Sequence, residues 1–171
     1  MKKNILLKCL SITTLLLAIV QIGSTQPKSS QRDFVYGGTM SPIPSYAAGI
    51  SSKAVKDFHS RFAKINTESW YNNDGGIVSY FVNEGVTCRV MYDKNGNWKG
   101  TEQTYSEEGL PDHLRSAVKG TYFDYNITLV NEIQTMEGLV YIIHLENKSS
   151  LKNIRVNSDG EMDVRESYQK G

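Results

Sequence analysis

The sequence predicts an α+β domain in which two helices are each followed by antiparallel strands. Apolar residues recur at helical spacing in two short segments, one after Ser51 and one after Leu110. After each segment, stretches of alternating apolar and polar residues are separated by turns rich in Gly and Asn. The same order of elements occurs in both halves. The pattern therefore predicts two tandem helix-plus-antiparallel-sheet repeats, over about residues 51–106 and 107–168.

The first 25 residues have the organisation of a cleavable signal peptide. Lys2, Lys3 and Lys8 precede an apolar run over residues 10–22, and small residues follow it. The alternative is a permanent membrane anchor, but the run is shorter than the roughly 20 residues that cross a bilayer. We therefore expect a periplasmic or secreted protein without stable membrane insertion after signal cleavage.

The charge and cysteine content of the remaining chain exclude further classes. The chain has 19 basic and 18 acidic residues, and the signal segment removes three lysines and no acid, which leaves a net charge of −2. We expect no nucleic-acid partner, because such proteins carry a clustered basic face. Cys88 is then the single cysteine. Without an internal disulfide, the domain must be held together by its apolar core.

Residues 26–50 are predicted to form a flexible leader. They contain Pro27, Pro42 and Pro44 among small polar residues and lack apolar periodicity. A strand within this stretch that pairs with the domain is the less favoured alternative. The single folded domain is expected over residues 51–171.

The first half of the domain begins with a helix that Ser51 or Ser52 could cap. Three strands should follow, with a strong hairpin turn at residues 93–96, because Asn and Gly adopt a positive φ easily. The predicted strands of this half cover residues 77–82, 86–92 and 98–105. The apolar face of the helix consists of Ala54, Val55, Phe58, Phe62 and Ile65.

The second half shows the same order of elements. Leu110 and Pro111 open a helix, and Gly138 marks a turn between two of the strands that follow. The predicted strands of this half cover residues 126–135, 139–146, 151–157 and 161–168. An internal duplication is favoured by three pairs of matching residues in the two halves, Phe62 with Tyr122, Gly76 with Gly138 and Gly96 with Gly160. Coincidence between two ordinary units of helix and strands is the alternative.

These residues resemble a known family, the PepSY-like exported bacterial proteins. The likeness covers about residues 52–168. It implies a fold like that of the beta-lactamase inhibitor protein, with no known enzymatic activity and no catalytic residues to transfer. The residues that carry it are 55–62, Trp70, 79–81, 90–98 with Thr101, and Leu110–Pro111.

No pattern in the sequence predicts catalytic, cofactor-binding or metal-binding residues. His59, His113 and His144 have no second ligand at the spacing of a zinc site. Cys88 alternates with Arg89 along a predicted strand, which favours a position in the core over the role of a nucleophile. The acidic residues near the second helix are explained by the dipole at its N-terminus.

The outward face of the sheet is the most informative predicted surface. If Phe81 and Cys88 point toward the helices, alternation points the next residues away from them. The outward set is unusually apolar and includes Tyr, Met and Arg, which are enriched at protein interfaces. Burial of both faces by the leader, the other repeat or a dimer partner is the alternative. The candidate contacts are Tyr80, Arg89, Met91, Ile142, His144 and Arg155.

Two functions remain open. The favoured hypothesis is an exported, non-enzymatic binding module whose outward sheet face binds an extracytoplasmic protein or peptide. The alternative is a hydrolase or a small-ligand-binding protein with a site between the two repeats, which would require convergent polar groups in a cleft.

Overall fold

The computed structural model describes residues 41–43 and 49–171 of the chain. The predicted signal peptide, residues 1–25, and most of the predicted leader lie outside the described residues. Three residues of that leader, Ser41–Ile43, form a short strand. We expected a flexible leader here, but a short strand can include Pro42, because a strand at the edge of a sheet tolerates a proline.

The described residues form nine strands and two helices. Helix α1 covers Ser52–Arg61 and helix α2 covers Asp112–Thr121, and a single 3-10 turn at Glu107–Gly109 precedes α2. The strands in chain order are β1 (Ser41–Ile43), β2 (Ser69–Asn73), β3 (Gly76–Asn83), β4 (Val86–Asp93), β5 (Trp98–Tyr105), β6 (Asn126–Thr135), β7 (Gly138–Glu146), β8 (Ser150–Asn157) and β9 (Met162–Gln169).

All nine strands belong to one continuous antiparallel sheet, in which each strand pairs with the next along the chain. Strands β5 and β6 are paired from Gly100 opposite Thr135 to Tyr105 opposite Val130. The prediction of two tandem helix-plus-antiparallel-sheet repeats is therefore wrong, because the sheet is not divided between two units. Pairing across this junction satisfies backbone groups that two separate sheets would leave at their edges.

Both helices pack on the same face of this sheet, each over its own apolar core. Ala54 and Phe58 of α1 meet side chains of β2, β3 and β4, and Phe58 lies 5.5 Å from both Trp70 and Phe81 between ring centroids. Leu114 and Val118 of α2 meet side chains of β6, β7 and β8. Complete burial of a side chain such as Phe58 contributes about 1.5–3 kcal/mol. The cores hold both helices against one side of the sheet, and no helix of the described residues lies on its other side.

Strand β2 was not predicted. Asn72 and Asn73 lie in a stretch of turn-forming residues, yet β2 continues to Asn73 and pairs with β3. Gly76 follows with φ 153°, and a Cβ at this position would lie 2.1 Å from the carbonyl oxygen of Tyr92. Only glycine allows the strands to approach this closely.

Candidate functional site

The candidate site is the sheet face opposite the helices, which we call the helix-free face. Cys88 and Val90 belong to the α1 core, so Arg89 and Met91 point to the other side. Residues that pair across antiparallel strands share a face, which places Tyr80 beside Arg89. The same reasoning from the α2 core places Ile142, His144 and Arg155 on the helix-free face. The predicted orientation of all six candidate residues is confirmed.

The part of this face formed by β2–β5, which we call the filled part, holds several buried side chains, although Val82 near its end is 52% exposed. Gly100 leaves space on the sheet surface, and a Cβ at this position would lie 3.3 Å from Cε of Met91, so the methionine occupies that space. Val78 is 1% exposed, and Met91 and Glu102 are each 5% exposed. Although Met91 has the predicted orientation, its burial does not support the contact role that we expected for it.

A carboxylate is buried within this filled part. Glu102 accepts a hydrogen bond of 3.3 Å from Nη1 of Arg89, whose side chain is half-exposed. A buried carboxylate is tolerated when a cation and a hydrogen bond stabilise it. Arg89 therefore has a structural role in addition to its position on the face.

The part formed by β6–β9 carries a polar network around His144. The side-chain amide nitrogen of Asn131 lies 3.4 Å from Nε2 of His144, and Asn131 also accepts a 3.0 Å hydrogen bond from Thr104. Asn153 donates a 2.5 Å hydrogen bond to Glu166. Burial lowers the pKa of His144, while Glu166 and a hydrogen bond with Asn153 act in the opposite direction. The imidazole is therefore held mainly in its neutral form.

Three exposed apolar side chains lie on the same part of the face as this network. Leu129 pairs with His144, and Leu151 pairs with Tyr168 on the outermost strand. These three apolar side chains are 37%, 40% and 55% exposed, respectively. We call Leu129, His144, Leu151 and Tyr168 the exposed corner. With Val82, the helix-free face holds four of the seven exposed large apolar residues of the described chain.

Two β-bulges turn members of the exposed corner toward this face. Ile127 pairs with Leu145 but Leu129 pairs with His144, so one extra residue is inserted in β6. On β9 the extra residue is Arg165, between the positions paired with Ile154 and Asn153. A bulge shifts the alternation by one residue and moves the following side chains to the other face.

The sequence analysis missed the three apolar residues of the exposed corner. Leu151 could have been found, because it alternates with Arg155 at two-residue spacing. For Leu129 the local signals conflict, since alternation from Ile127 places it on the helix side and alternation from Val130 places it on the helix-free face. Tyr168 could not have been found, since alternation from Val164 places it on the helix side. The register of the paired strands decides the position of both residues.

Other chemically reactive side chains form no comparable site. Cys88 is buried, as predicted, and burial raises the pKa of its thiol to about 11. Nε2 of His59 lies 3.6 Å from Glu68, and Nε2 of His113 lies 3.4 Å from the carbonyl oxygen of Ser158. Among the described residues, no group of three His, Cys, Asp or Glu side chains is placed to hold a metal ion.

Comparison with known proteins identifies the fold. No family model matches the chain, and no curated protein matches it. A BLIP-like protein of Bacteroides fragilis is similar, with a TM-score of 0.59 and 17% identity over 71% of this chain and 89% of that chain. A DUF2874 family protein of Bacteroides ovatus gives a TM-score of 0.58 and 16% identity over 69% of this chain and 86% of that chain.

A candidate periplasmic protein of Bacteroides eggerthii is also similar, with a TM-score of 0.58 and 16% identity over 71% of this chain and 90% of that chain. At these identities the likeness shows the fold alone. The expected resemblance to the beta-lactamase inhibitor protein is confirmed for the fold, whereas no match supports the PepSY-like family. Within the described residues, no helix has the length and apolar character needed to cross a membrane. The description of the Bacteroides eggerthii protein is consistent with the predicted periplasmic or secreted location.

Proposed function

We propose that this chain is an exported, non-enzymatic binding module that uses the helix-free face to bind an extracytoplasmic protein or peptide. The observation that carries the proposal is the exposed corner, where the exposed Leu129 pairs with the half-buried His144 and the exposed Leu151 pairs with the exposed Tyr168. Exposed apolar side chains that cluster on one face are typical of interaction sites. Of the six predicted contacts, Met91 is left out of this surface because it is buried.

The composition of the surrounding surface supports this proposal. Ile142 and the stem of Arg155 are half-buried beside the exposed corner, and Tyr80 lies on the same face closer to β2. An interface of standard size buries about 800 Å² on each partner. Strands of eight to ten residues, at about 4.8 Å between neighbours, supply that area across five or six strands.

The fold of the similar proteins agrees with this proposal without establishing it. One of them is described as BLIP-like and another as a candidate periplasmic protein. Fold does not determine function, so the proposal depends on the surface itself. The same reasoning extends to the PepSY-like family, whose exported, non-catalytic members would suit such a role.

The test is capture from the periplasmic fraction of the cells that express the chain. The triple variant Leu129→Ser/Leu151→Ser/Tyr168→Ser should capture about tenfold less partner than the wild type. The reason is that truncation of a central contact costs about 1–3 kcal/mol of binding free energy. The matched control is Phe123→Ser/Met136→Ser, which removes two exposed apolar side chains outside the helix-free face. Equal capture by both variants, with intact folding shown by circular dichroism, would overturn the proposal.

A further inference from the structure

A continuous row of side-chain hydrogen bonds crosses the helix-free face from β5 to β9. The hydroxyl of Thr104 donates a 3.0 Å hydrogen bond to Oδ1 of Asn131, and Nδ2 of Asn131 lies 3.4 Å from Nε2 of His144. His144 also forms a hydrogen bond with Asn153, whose Nδ2 donates to Glu166 at 2.5 Å. Each of the five neighbouring strands contributes one side chain. We call this set the hydrogen-bond row.

The two asparagines give the hydrogen-bond row a direction. Oδ1 of Asn131 accepts from Thr104, so Asn131 presents an N–H group to Nε2 of His144, which must then be an acceptor. Nδ2 of Asn153 donates to Glu166, so Asn153 presents its carbonyl oxygen to the imidazole. That oxygen accepts from the other ring nitrogen. The neutral imidazole of His144 therefore carries its proton on Nδ1.

A second proton on His144 is incompatible with this direction. It would bind to Nε2, and an imidazolium ring has two donors and no acceptor, so Nε2–H would face the N–H group of Asn131. A half-turn of the Asn131 amide removes the conflict, because it brings Oδ1 to Nε2 and Nδ2 to the hydroxyl of Thr104. A hydroxyl can accept as well as donate, so every contact of Asn131 is kept after the turn.

The other charged groups around His144 form ion pairs of their own. Glu146, on the same strand, pairs with Lys170 at 2.6 Å, and Arg155 on β8 lies 3.8 Å from Asp163 on β9. Arg165, at the bulge of β9, lies 3.6 Å from the same aspartate. From β6, the neighbours of His144 are Leu129 and Asn131, neither of which titrates. Burial lowers the pKa of His144, whereas Glu166 and the hydrogen bond with Asn153 favour the proton.

We propose that protonation of His144 reverses the side-chain amide of Asn131 and makes the exposed corner a pH-sensitive binding surface, which binds its partner in the neutral form and releases it in acid. In the neutral form both ring nitrogens are occupied within the hydrogen-bond row, so His144 offers a partner its ring carbons beside Leu129. A partner that covers the corner removes more water from the imidazole and disfavours its charged form. Partner and proton therefore compete. The inference rests on the proposed function, because it describes the regulation of the same surface.

The first test needs no partner and uses NMR of the full ¹⁵N-labelled chain. At pH 7.5, imidazole spectra should place the proton of His144 on Nδ1. His113 is the matched control, because its Nε2 lies 3.4 Å from the carbonyl oxygen of Ser158 and must carry the proton to donate to it. As the pH falls to 5, nuclear Overhauser contacts of the Asn131 amide protons should move from the ring of His144 to the methyl group of Thr104.

Two variants complete this test. His144→Gln should abolish the movement of the Asn131 contacts, while His113→Gln, at an exposed position, should leave it unchanged. A neutral His144 with its proton on Nε2 would overturn the inference, as would Asn131 contacts that do not follow the titration of His144.

The second test repeats the capture from the periplasmic fraction at pH 7.5 and at pH 5. The partner is the protein that the wild type captures and the triple exposed-corner variant does not. The wild type should capture about threefold less of it at pH 5, because only the neutral fraction binds. His144→Gln should lose this pH dependence, whatever its absolute level of capture. Equal capture by the wild type at both pH values would overturn the inference and leave the proposed function intact.

Discussion

The two parts of the helix-free face differ in how their apolar side chains are used. In β2–β5, Met91 lies over Gly100, and Val78 is almost completely buried. In β6–β9, two bulges turn Leu129 and Tyr168 into solvent beside Leu151. One part therefore contributes to stability, while the other offers a surface for binding. An orientation shared by two residues does not give them the same role.

The largest expected effect compares the buried and the exposed apolar residues. Met91→Ala should lower the free energy of unfolding by about 2–3 kcal/mol, because it empties the space over Gly100. Leu151→Ala should change it by less than about 1 kcal/mol, since that side chain is already in contact with water. Urea denaturation of both variants measures the difference, and equal losses would remove the distinction between the two parts.

A smaller effect is expected from the ion pairs of the two parts. Glu102→Gln removes a buried partner of Arg89 and should cost about 1–2 kcal/mol, a value limited by the exposure of the arginine. Asp163→Asn weakens an exposed pair with Arg155, at 3.8 Å, and should cost less than about 0.5 kcal/mol. Urea denaturation of both variants measures the two losses of unfolding free energy. A larger loss in Asp163→Asn than in Glu102→Gln would contradict a structural role for the buried pair of Arg89 and Glu102.

The smallest effect concerns the pH dependence of the exposed corner. Because burial lowers the pKa of His144 in the folded chain, the unfolded chain binds its proton more readily. The contribution of the neutral His144 to the free energy of unfolding is therefore complete above the pKa of the unfolded chain, about 6.5. It is lost as the pH falls through the pKa of His144 in the folded chain. Between pH 7.5 and 5, the wild type should lose more stability than His144→Gln. His113→Gln, a control at an exposed position, should behave like the wild type. An identical change of unfolding free energy with pH in the wild type and both variants would refute the effect.

Much of the fold was accessible from the sequence, because local signals determine it. Strand β5, predicted over residues 98–105, has those bounds in the structure, and so does β6 over residues 126–135. Alternation around Val90 and Ile143 also gave the correct faces. Such predictions depend only on neighbouring residues and on turn chemistry.

The remaining features depend on pairings between strands that are distant in sequence. Nothing local to Met91 indicates that Gly100 leaves space for its side chain. Bulges at Thr128 and Arg165 become visible only when the partner strands are known. The continuity of the sheet across β5 and β6 is likewise a property of pairing, which the duplicated order of elements concealed.

The most direct test of the binding surface is site-specific photo-crosslinking. Benzoylphenylalanine would replace Leu151, Tyr168 or, as a control outside the helix-free face, Phe123, and each chain would be irradiated in the periplasm. The binding proposal predicts one adduct of the same discrete mass from positions 151 and 168 and none from position 123. Adducts of equal yield from all three positions, or from position 123 alone, would contradict it.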